Sequence, residues 1–123
     1  MRVAITLTFL AVALVNLAPS VGALSTARLA TLYGVAVNDP NLAILLRHRA
    51  MLFAIVGALL AIAAFDASLR PIACAAGLVS MLSFVAVARA VGEYNAQLRR
   101  IVAIDVVASI ALVIAAGLDF LAG

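Results

Sequence analysis

A chain of 123 residues that is 68% hydrophobic and only 11% charged, with mean hydropathy +1.32 and net charge +3, lacks the polar surface a water-soluble domain needs. Lipid is the expected solvent, and the length allows one compact domain with no separate soluble one. The pI near 10.0 does not argue for nucleic acid, because there is neither a basic run nor an interleaving of aromatic and basic residues. Cys74 is the single cysteine, which excludes an intrachain disulfide and leaves the redox compartment open.

In chain order, the first apolar stretch runs over about residues 3–24 without a charge and is broken by Pro19 and Gly22. Ser25 to Tyr33, closed by Gly34, predicts a short interfacial helix carrying Arg28 within about residues 25–34. Asp39 as a cap and Pro40 at the first helical position open the second stretch, about 41–65, which passes through Arg47, His48 and Arg49. A tight connection, Asp66 to Arg70, leads to Pro71 and the third stretch, about 71–90. Gly92-Glu93-Tyr94-Asn95 precedes the fourth, about 96–118. Each long stretch is near the ~20 residues that cross a ~30 Å hydrocarbon core. Backbone groups in lipid must be satisfied internally, and no strand alternation is present. The predicted fold is an all-α membrane protein, a single four-transmembrane-helix bundle.

Charge sets the expected orientation. All eight basic residues are arginines. With an extracytoplasmic N-terminus, Arg28, Arg47, Arg49, Arg89, Arg99 and Arg100 are cytoplasmic, against Arg2 and Arg70 outside. Arg2, the apolar run and Val21-Gly22-Ala23 also resemble a signal peptide. Cleavage after Ala23 would invert the arginine bias, so the uncleaved reading is preferred, with both termini outside. Small residues at steps of three and four, Ala50, Ala54, Gly57, Ala58, Ala61 and Ala64 on the second helix and Ala73, Gly77, Ser80 and Ser83 on the third, predict a close antiparallel hairpin.

Two features have the chemistry of a site. Asp105 is an ionisable residue inside a membrane helix. The Arg47-His48-Arg49 triplet starts from the same face at similar depth; its side chains fan around the helix at 100° per residue, so one arginine can pair with Asp105 while another snorkels to lipid phosphate. A structural clamp is the expected role, and a proton- or anion-handling site using Asp105 and His48 is the alternative. Tyr94, Arg99 and Arg100 are expected at the interface. One His and one Cys with scattered carboxylates predict no metal site, isolated glycines predict no phosphate loop, and no G-x-S-x-G elbow accompanies the serines. No cofactor and no enzymatic activity are expected.

Leu32-Tyr33-Gly34-Val35, Asp39, Leu45-Leu46-Arg47-His48-Arg49-Ala50, and Tyr94-Asn95-Ala96-Gln97-Leu98-Arg99-Arg100 with Asp105 resemble a group of uncharacterised small bacterial four-helix integral membrane proteins over most of residues 30–118. Some members carry the label phosphopantetheine adenylyltransferase. That enzyme is a soluble α/β nucleotidyltransferase with an H-x-G-H signature, whereas here the single His48 is followed by Arg49 and Ala50, so the label finds no support. Small multidrug exporters need a glutamate in the first helix and fluoride channels a glycine-rich signature; neither is present. The resemblance implies a multi-pass protein of the bacterial inner membrane, structural or accessory in type. A minimal transporter or channel using Asp105 is the alternative. The expected partners are the lipid bilayer and either a second copy or another membrane protein, with no nucleic acid.

Overall fold

The computed structural model describes residues 1–23 and 25–122; Leu24, the expected end of the first stretch, lies outside the described residues. Helix α1 (Arg2–Leu17) passes into a 3-10 segment, Ala18–Ala23, followed by α2 (Thr26–Tyr33), α3 (Pro40–Phe65), α4 (Arg70–Val91) and α5 (Ala96–Ala122). Among the described residues four helical segments, Arg2–Ser20, Pro40–Phe65, Ala67–Val91 and Ala96–Ala122, are long and apolar enough to cross a membrane. The fold is an all-α bundle.

Local chemistry sets the ends. Helix α1 ends at Leu17, and Ala18, still in the right-handed helical region at φ −55° and ψ −46°, leads directly into the 3-10 segment that contains Pro19. Ser25 caps α2 by accepting from the Arg28 amide at 3.3 Å, and Asp39 caps α3 by accepting from the Asn41 amide at 2.9 Å. Gly34 and Gly92 close α2 and α4 with φ of 66° and 85°, the left-handed conformation that glycine adopts without a Cβ penalty. Asp66 accepts from the Ser68 amide at 3.0 Å in the turn before α4. Helix α5 runs past the expected end at Leu118 and carries Asp119 within its last turn.

Each long helix packs on two antiparallel neighbours in the cyclic order α1, α3, α4, α5. The core is drawn from all four, with Phe9, Leu60 and Leu112 fully buried together with Ala63, Ala64 and Ala73. Outward, the helices present Ile44, Leu45, Ile55, Ile62, Val79, Val107 and Ile114. A bundle with an apolar exterior fits lipid and not water. The small residues are used differently from the expected hairpin. A Cβ on Gly57 would lie 2.5 Å from Leu17 Cγ, so this glycine admits α1 and not α4. Gly77 makes room for Leu112 of α5 and Leu60 of α3, while Ala58 and Ser83 are exposed.

Candidate functional site

Of the Arg47-His48-Arg49 triplet, Arg49 alone is turned inward; Arg47 and His48 are exposed on the outside of α3. The helix supplies the reason, since neighbours differ by 100° in direction. The Arg49 guanidinium carbon lies 4.7 Å from the ring centres of both Phe53 and Phe84 and 5.6 Å from that of Tyr33. Rings from α2, α3 and α4 thus surround one cation, an arrangement worth about 2 kcal/mol when shielded from water. Arg49 Nε is buried and meets no hydrogen-bond acceptor among the described residues.

Asp105, 7% exposed, approaches from α5. It shares with Arg49, Tyr33, Asn16 and Arg28 a chamber of about 370 Å³ between α1, α2, α3 and α5. No direct ion pair joins Arg49 and Asp105, whose charges act on one another across the chamber. Each lies nine residues into its helix, about 13 Å along the axis. The Tyr33 hydroxyl is pushed above its ordinary value of 10.0 by burial; the Arg49 charge opposes this and the Asp105 carboxylate adds to it.

No known protein family, curated protein or solved structure matches this chain. Its site therefore has to be read from its own geometry.

The loop before α5 holds the site from the end of the bundle opposite Arg70. Asn95 Nδ2 donates to the carbonyls of Tyr33 at 2.8 Å and Gly34 at 3.1 Å, while its Oδ1 accepts from the Leu98 amide at 2.8 Å. One side chain thereby ties the end of α2 to the start of α5. Tyr94 is half-buried at the mouth of a groove of about 920 Å³ along α3 and α4 that also reaches Arg49. Arg99 and Arg100 are exposed. Among the described residues no cluster of His, Cys, Asp and Glu is arranged to hold a metal ion.

A second polar centre lies at the opposite end, and the sequence reading did not single it out. Arg70 Nη1 donates to Asp119 Oδ1 at 2.6 Å, Nε to the Ala63 carbonyl at 3.0 Å and Nη2 to the Ala64 carbonyl at 2.9 Å. The Ala64 carbonyl also accepts from Thr6 Oγ1 at 3.1 Å, and the guanidinium lies 5.7 Å from the Phe9 ring centre. One arginine closes the carbonyl end of α3, pairs with α5 and packs on α1. The available signal was spacing: Asp119 is 14 residues after Asp105, which returns it to nearly the same face of α5.

Proposed function

We propose that this chain is a multi-pass protein of the bacterial inner membrane, structural or accessory in role and not an enzyme, with both termini extracytoplasmic and with Arg49 and Asp105 clamping the bundle internally. The observation that carries the reading is the meeting of these two opposite charges, from different helices and at matching depth, in one chamber. An unpaired Asp at a membrane helix centre costs about 2.5–3.5 kcal/mol, so a facing cation is what makes Asp105 tolerable. Orientation follows from the arginines: Arg28, Arg47, Arg49, Arg89, Arg99 and Arg100 belong to the half of the bundle that holds the Asn95 contacts, whereas Arg2 and Arg70 belong to the half that holds both termini.

A minimal transporter or channel is the second reading. It is favoured by Ser109, which lies one turn beyond Asp105 with its hydroxyl buried and unpartnered among the described residues. Against it, Phe9, Leu60 and Leu112 fill the core between the chamber and the Arg70 end. Unfolding in detergent separates the two. For the clamp, Asp105→Leu lowers stability by about 2–3 kcal/mol despite the gain in apolarity, and Arg49→Leu in the same molecule recovers part of the loss. A stabilised Asp105→Leu protein showing no coupling to Arg49 contradicts the clamp. For a transport acid, Asp105→Asn leaves folding intact and abolishes flux in liposomes.

A further inference from the structure

A second space adjoins the chamber beyond Asp105. The chamber's walls Val15 and Ile104 also belong to an apolar groove of about 560 Å³ between α1 and α5, bounded by Leu7, Ala11, Val12, Ala103, Val107 and Ala111. The alanines leave the space that larger side chains would fill. Together the two spaces extend from Ile101 to Ala111 on α5, about 15 Å along the axis, which is half of a ~30 Å hydrocarbon core and therefore the depth of one leaflet.

The polar end of this slot has a defined charge. Arg28 and Arg49 contribute two positive charges and Asp105 one negative, so the chamber carries a net +1 with all three ionised. Arg49, one of its lining residues, has a buried Nε with no hydrogen-bond acceptor among the described residues. The larger groove along α3 and α4 has no such bias, because Glu93 at its wall offsets Arg49.

We propose that the slot holds a membrane phospholipid with a monoanionic phosphodiester headgroup. The phosphate sits between Arg28 at the interface and Arg49 below it, and one acyl chain lies in the α1–α5 groove. Arg28 is exposed on α2, placing it where a headgroup enters. Arg49 supplies charge-assisted hydrogen bonds inside, where they are strongest. Burial of the acyl chain adds affinity with each methylene. The proposal rests on the membrane reading but not on the Arg49–Asp105 clamp.

Native mass spectrometry of the full chain in neutral detergent, with phosphatidylglycerol and phosphatidylcholine of identical acyl chains in equal amounts, tests it. The expected result is about tenfold preferential retention of phosphatidylglycerol, the scale of one hydrogen bond to a charged group. Arg28→Gln and Arg49→Gln each reduce that preference, and Ala103→Phe, at an exposed position on the groove wall, reduces retention by filling the slot. If Arg49→Gln fails to fold, the other two variants decide. Equal retention of both lipids by the wild-type chain overturns the proposal, as does unchanged retention by a folded Ala103→Phe protein. Either result leaves the clamp standing, since that is read from unfolding of Asp105 and Arg49 variants.

Discussion

Arg49 shows what a single side chain can and cannot reveal before its surroundings are known. The triplet containing it and the isolated Asp105 stand out in an apolar chain, and Phe53, four residues on, is a helical neighbour visible in the sequence. Tyr33 and Phe84 are not visible, because they arrive from helices whose rotation is settled by packing. The same limit hid Arg70, whose partner Asp119 is 49 residues away. Two predictions belong at this scale. Tyr33 carries charge only when deprotonated, and burial raises its pKa above 10.0, so the stability it contributes is complete below pH 10 and lost as pH rises through the raised value. Near-ultraviolet titration should show a late tyrosinate absent from Tyr33→Phe, and Arg49→Met, by removing the opposing cation, should delay that ionisation further. An earlier ionisation in Arg49→Met would contradict the assignment. Arg70→Met should destabilise the bundle by about 3 kcal/mol, since it strips donors from two carbonyls and leaves Asp119 unpaired. Asp119→Asn should cost less, because Asp119 is 25% exposed on its side chain. Chemical or thermal unfolding in detergent checks the order, and equal costs would contradict it.

Element boundaries were legible wherever a local rule sets them. Asp39 with Pro40, Ser25 with its cap on α2, and Gly34 and Gly92 in left-handed closures all stand close to where the sequence places them. The end of α5 was not, because the expected end at Leu118 stops before the charge of Asp119, which in the bundle is paired with Arg70. The stripe of small residues was legible as a pattern but not as a direction. Gly57 faces Leu17 and the Ala13 carbonyl of α1, with a Cβ position 3.1 Å from that backbone oxygen. Leu17 can rotate away; the carbonyl cannot. Gly57→Ala should therefore overpack the α1–α3 contact at a cost of about 1–3 kcal/mol, whereas Ala58→Leu, one residue on and exposed, should change stability by less than about 0.5 kcal/mol. Unfolding of the two variants side by side would reveal the face, and the reverse order would rule out the α1 contact.

At the scale of the whole molecule, two arginines organise opposite halves of an apolar bundle. Arg70 gathers α1, α3 and α5 near the termini, and Arg49 gathers α2, α3 and α4 while facing Asp105 of α5. Helix number and the shared side of the two termini follow from the apolar lengths and the arginine distribution alone, which is why they were legible without coordinates. The orientation of this bundle is the central claim, since the clamp, the interface and the lipid slot all take their sidedness from it. Alkaline phosphatase fused after Gly123 or after Asn95 tests it most directly, because that reporter matures only where its disulfides can form. The account predicts an active fusion after Gly123 and an inactive one after Asn95; an active fusion after Asn95 with an inactive one after Gly123 would contradict it.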